Sequence, residues 1–176
     1  MALAVGIGLL LRQPAAQPAT APSGVPATAT TRQLPPEQQP GPATVRLAED
    51  AAGHPDAGVV RALLQGHFDA INLGDYRRWT TTVVLERAEA TTEETWREQY
   101  GTTTDGSILV HRLAPRPAGG LTVLLSFTSV QDPADAPEDT PYRCLRWRVS
   151  YPVVTESDQL RLGPGDPESS RASRCS

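Results

Sequence analysis

An α+β fold, with N-terminal helices packed on a curved antiparallel sheet behind a disordered tail, is the architecture this chain predicts. Three observations carry that expectation. Apolar residues recur at helical spacing from Val60 to Ile71 and at strand spacing after Gly106. The main helices come first and an antiparallel meander follows, which is the order of an α+β chain rather than of alternating βαβ units. All the aromatic residues lie between Phe68 and Tyr151, and a core needs large apolar side chains, so the folded part is expected at 54–176. A unit of that size buries about two-thirds of its unfolded surface and folds alone.

The elements are taken in chain order. His54-Pro55-Asp56 reads as a helix start, with proline in the first turn and an acid near the positive end. Val60, Leu64, His67, Phe68 and Ile71 then form one stripe. Asn72-Leu73-Gly74-Asp75 ends this helix, and Asp75 caps a shorter one holding Tyr76 and Trp79. The β-branched run Thr81 to Leu85 predicts a short strand, and Thr91-Thr92-Glu93-Glu94 opens a further helix through Trp96 to about Tyr100. Past the turn residues Thr104-Asp105-Gly106, strands are expected over 107–113 and 121–130, joined at Gly119-Gly120 as an antiparallel hairpin. An acidic loop over 131–141 precedes a long strand over 142–154, in which Leu145, Trp147, Val149 and Tyr151 share one face and Arg146 and Arg148 the other. A short strand is expected over 159–162. Asp166-Pro167-Glu168 reads as a final helical turn delivering Cys175 to Cys144.

The first 53 residues differ in kind. Met1 to Leu11 carries no side-chain charge but is shorter than the roughly 20 residues a spanning helix needs, and the first cation, Arg12, falls on the wrong side for a signal sequence. Three readings stand: the back half of an anchor helix whose start lies upstream, a degenerate signal peptide, or a short buried helix. The first two place the folded part outside the cytoplasm, tethered to the membrane or secreted. Residues 12–53 read as a Pro/Ala/Thr-rich disordered linker. Gln13 to Pro42 holds eight prolines, which remove backbone donors and favour an extended spacer.

The charge pattern excludes some partners. The net charge is −4, and every one of the sixteen basic residues is arginine. They do not gather into the basic stripe that nucleic acid demands, so no nucleic-acid partner is expected, and the absence of lysine fits the codon bias of a high-GC genome. Cys144 and Cys175 are an even pair in an exported chain, which favours a disulfide. Closing a loop of roughly thirty residues would stabilise the fold by about 3 to 4 kcal/mol. Neither cysteine has nearby histidines, so no metal site is expected.

One stretch, Phe68-Asp69-Ala70-Ile71-Asn72-Leu73-Gly74-Asp75-Tyr76, resembles the opening of the NTF2-like (SnoaL-like) superfamily. Tyr100-Gly101-Thr102-Thr103-Thr104-Asp105, Phe127-Thr128-Ser129-Val130-Gln131-Asp132 and Cys144-Leu145-Arg146-Trp147-Arg148-Val149-Ser150-Tyr151 resemble exported actinobacterial members. The resemblance spans roughly residues 57 to 175. It implies a cone-shaped, often dimeric α+β fold with a pocket between helices and sheet. Family functions include isomerases, hydratases, ligand carriers and accessory domains, and fold alone does not choose among them. The Asp–His or paired-carboxylate constellation of the enzymatic members does not map onto this chain, so no catalytic residue is assigned.

The pocket candidates are His67, Tyr76, Trp79, Trp96, Tyr100 and His111. The four aromatics would give an apolar wall with hydroxyl and indole donors, or simply pack the core. His67 or His111 with Asp69 or Asp75 would serve as an acid–base pair, or sit as a core and a surface histidine. The loop acids Asp132, Asp135, Glu138 and Asp139 lack the order of a calcium loop and read as solvated. Gly163-Pro164-Gly165 reads as a turn, and no cofactor motif appears. The functional expectation is an extracytoplasmic binding or accessory module of the cell envelope. It would take a small apolar ligand, a protein partner or a second copy of itself, with no catalysis. The alternative is a pocket enzyme of the isomerase or hydratase type using a His/Asp pair.

Overall fold

The computed structural model describes Pro35 and residues 39–117, 119–166 and 168–175. The segment over 1–11 and the spacer up to 34 lie outside the described residues. The described chain is α+β: a mixed, curved sheet of six strands with several helices, most of them ahead of it in sequence.

The packed structure begins before the boundary expected at 54. Strand β1 (Arg46–Leu47) runs parallel to β2 (Thr104–Pro115), so the sheet is mixed rather than wholly antiparallel. The linker reading of 12–53 fails here because Val45 is 2% exposed and Ala51 fully buried. The segment is also strapped down through its backbone. The Val45 N–H donates to Gln65 Oε1 at 2.8 Å, the Ser107 N–H to the Pro42 carbonyl at 2.8 Å, and the Ala48 N–H to the Val110 carbonyl at 2.8 Å. Gly106, read from sequence as a turn residue, lies inside β2. A Cβ there would meet the Pro40 carbonyl oxygen at 2.6 Å, so the strap needs a glycine beneath it.

After the short helix α1 (Glu49–Ala52), helix α2 (Ala57–Asn72) buries its whole stripe: Val60, Leu64, His67, Phe68 and Ile71 are each 5% exposed or less. Burying each of the apolar four contributes about 1.5–3 kcal/mol. They pack against Ile108, Val110, Leu125 and Val149 from the sheet. The chain turns at Gly74, in the left-handed region at φ +65°, and Asp75 caps α3 (Tyr76–Thr80) by accepting the Arg78 N–H at 3.0 Å.

The strand expected over Thr81 to Leu85 is reduced to one parallel bridge between Val83 and Leu162. From Leu85 the chain forms helix α4 (Leu85–Ala90), whose Leu-Glu-Arg-Ala-Glu-Ala sequence is made of strong helix formers. Val84 supplies no side-chain cap; the Leu85 N–H instead donates to Glu156 Oε2 at 3.0 Å. Helix α5 (Glu93–Tyr100) opens at Thr92, whose hydroxyl accepts the Thr95 N–H, as its sequence indicates.

The rest is a meander. Strands β2 and β3 (Leu121–Val130) form the expected hairpin, with register shifts at 106–109 and 110–112 that bend β2. Strand β4 (Cys144–Glu156) pairs with β3 along most of its length. Its other edge is shared: β6 (Ser170–Arg174) takes Leu145–Val149, and β5 (Gln159–Leu162) takes Val153–Glu156. The partner changes around Pro152, which has no amide hydrogen to give. Where a final turn is expected from Asp166-Pro167-Glu168, the Ser169 N–H donates to the Asp166 carbonyl at 2.8 Å, and the chain beyond it runs along the open edge of β4 as strand β6, which carries Cys175 to Cys144. Beside it the disulfide Cys144–Cys175 closes the end of the sheet, with Cα atoms 5.5 Å apart. Among the described residues no helix is long and apolar enough to cross a membrane.

Candidate functional site

A cavity of about 640 Å³ lies between the helices and the concave face of the sheet. Phe68 and Ile71 of α2, Arg87 of α4 and Tyr100 of α5 form one wall. Asp105, Phe127, Ser129, Trp147, Val149 and Tyr151 form the sheet side, and residues 135–137, 164–166 and 169–170 border the mouth. Alternation along β4 is what puts Trp147, Val149 and Tyr151 on this face while Arg146 and Arg148 are exposed. The aromatic lining is interlocked. Phe127 stacks on Trp147 with centroids 6.2 Å apart and meets Phe68 edge-on at 5.0 Å.

Asp105 is the unusual member. It is 3% exposed, yet its carboxylate accepts one hydrogen bond among the described residues, from the Ser129 hydroxyl. Its backbone is clamped by the last residue of α2. The Asp105 N–H donates to Asn72 Oδ1 at 2.6 Å, and Asn72 Nδ2 donates to the Asp105 carbonyl at 2.9 Å. Burial pushes the carboxyl up to about 7, and the Ser129 hydrogen bond only partly opposes that shift. Burial, with Tyr100 adding to it, also raises the Tyr151 phenol well above its ordinary range, so it stays a neutral donor.

The sequence-derived candidates distribute differently from expectation: of the six, only Tyr100 lines the cavity. His67 lies in the core at 1% exposure, with Nδ1 2.8 Å from the Thr82 hydroxyl. That hydroxyl donates onward to the Trp79 carbonyl at 2.7 Å, so His67 carries its proton on Nδ1 and donates it to Thr82. Burial, with Arg87 adding to it, lowers His67 to about 3, which keeps it neutral. Tyr76, Trp79 and Trp96 are core packing. Tyr76 stacks on Trp79 at 6.0 Å and donates its hydroxyl to the Thr91 carbonyl at 2.7 Å, and Trp96 bridges Trp79 and Tyr100. Neither indole N–H has a hydrogen-bond partner among the described residues, so both serve through their area rather than as donors. His111 is exposed, its Nε2 2.8 Å from the Ser126 hydroxyl, and does not line the cavity.

The acidic loop is not wholly solvated. Asp135 lines the cavity and accepts the Thr102 hydroxyl at 2.5 Å, while the Asp132 N–H donates to Thr102 Oγ1 at 3.1 Å. These bonds fold the loop back on the end of α5. No cluster of three metal-ligating side chains exists among the described residues. Sequence reasoning missed Asp105, Ser129, Phe127, Trp147 and Tyr151 as site residues. The alternation of β3 and β4 did carry a signal for the last four. Asp105 carried none, since Asp-Gly reads as a turn. Comparison with family models, curated proteins and solved structures gives no match for this chain.

Proposed function

We propose that residues 39–175 form an NTF2-like binding or accessory module working outside the cytoplasm, in the cell envelope. The cavity would hold a small, mainly apolar ligand. The single observation that carries this is the aromatic-walled space between helices and sheet, held open where an ordinary core would be filled. The Cys144–Cys175 disulfide supports an oxidising compartment, and the apolar 1–11 segment supports export, with the chain then tethered or released. A protein partner or a second copy of the chain would meet the outer surface rather than the cavity.

Protein purified from the envelope of its own host and extracted with organic solvent should yield a near-stoichiometric apolar small molecule. It should also resist thiol alkylation until reduced. Recovery from cytosolic extract with both thiols alkylated, and nothing extractable, would remove this reading.

A second reading, proton-transfer catalysis of the isomerase or hydratase kind, is favoured by one observation, the buried Asp105 at about 7. It needs a different base from the one the sequence suggested, since neither His67 nor His111 lines the cavity. Turnover of a bound ligand that vanishes in Asp105→Asn, with the ligand still retained, would select it.

A further inference from the structure

We infer that the cavity is built for an amine: an apolar molecule whose protonated nitrogen sits against Asp105 with aromatic faces around it. This rests on the cavity being the ligand site and adds the chemical class that it selects.

Three independent features converge. First, the charge of the lining is lopsided: Asp105, Asp135 and Asp166 stand against Arg87 alone. The Arg87 guanidinium is already engaged over the Trp79 ring, 5.5 Å from its centroid. An anionic ligand would meet acids at both the floor and the mouth. Second, the floor acid is under-satisfied. A buried carboxylate ordinarily gathers several donors, and among the described residues Asp105 has only the Ser129 hydroxyl. An ammonium brings three donors and a full opposite charge to that unmet accepting capacity, and a neutral hydroxyl brings one donor and no charge. Third, the remaining walls are aromatic. Phe127, Trp147, Tyr100 and Tyr151 line the same space, and aromatic rings supply an attraction for a desolvated cation that an aliphatic wall lacks.

The shape of the ligand follows from the same contacts. Its ammonium end faces Asp105, and its hydrocarbon body lies along Phe68, Ile71 and Val149.

The test titrates the full, oxidised chain at pH 8 with hexylammonium, 1-hexanol and hexanoate, three probes of matched length that differ in the head group. Calorimetry and indole fluorescence both read binding. Hexylammonium should bind at least about tenfold more tightly than hexanol, and hexanoate more weakly than either. Asp105→Asn should bring hexylammonium to the level of hexanol. The wild-type ranking stands even if that variant fails to fold. Equal binding of amine and alcohol, a preference for hexanoate, or an amine preference that survives Asp105→Asn overturns the inference and leaves the cavity as an apolar site. Failure of all three probes to bind removes the cavity reading along with it.

Discussion

Two buried ionisable residues set opposite pH dependences inside one small core. Asp105 is raised in the fold from 3.8 to about 7, so the fold prefers its protonated form. Its contribution to stability is complete below about pH 4 and is lost as pH rises towards 7. His67 is lowered from 6.5 to about 3, so the fold prefers its neutral form, and its contribution is complete above about pH 6.5 and lost as pH falls towards 3. Between about pH 4 and 6.5 the two slopes, each at most about 1.4 kcal/mol per pH unit, cancel. Urea titrations across that window should therefore find the wild-type free energy nearly flat. Asp105→Asn should lose stability on acidification, and His67→Gln should gain it. Parallel curves for all three proteins would show that these groups are not held as described. At this scale the sequence was readable for His67, which sits on the helical stripe with every other member buried. It was unreadable for Asp105, which is held between Asn72 of α2 and Ser129 of β3, residues 33 and 24 positions away in the chain.

Among the elements, those with a complete local signal formed where their residues indicated. Helix α2 has its stripe and its Gly74 turn, α3 and α5 have side-chain caps, and β3, β4 and β5 have their alternation. The elements that differ are those whose partners are remote. Helix α4 is capped by Glu156, and β1 and β6 exist only because β2 and β4 present open edges to them. Strand β6 is accordingly dependent on its covalent tie. Cys175→Ser should lower stability by about 3 kcal/mol and selectively raise amide exchange over 170–174, whereas uniform loss of protection would place β6 within the global folding unit. The pairing of β4 with β6 also sets Arg148 directly opposite Arg171. Like charges so placed are unfavourable, so Arg171→Glu should stabilise the domain by about 0.5 to 1 kcal/mol at low ionic strength, with the gain shrinking as salt is added. A destabilised or salt-insensitive variant would show that the two side chains diverge.

At the level of the whole molecule, the division into a helical front and a sheet behind it was legible because periodicity reports which face of each element is buried. The cavity was only half legible. Alternation of β4 placed Trp147 and Tyr151 together. The aromatic residues of α3 and α5 read equally as a pocket wall or as core, and Tyr76, Trp79 and Trp96 turn into the core and pack on one another. Which aromatic residues line a space and which fill one depends on the tilt of these helices over the sheet, and local spacing does not encode that tilt. The central claim is that the space is occupied in life. The most direct measurement is native mass spectrometry of the full chain from its own host, beside Val149→Trp, which places an indole inside the cavity. The wild type should carry one discrete small-molecule adduct, with the chain about two mass units below its reduced form because the disulfide has lost two hydrogens. Val149→Trp should fly without the adduct. A bare wild-type chain, or an adduct that persists in Val149→Trp, would contradict it.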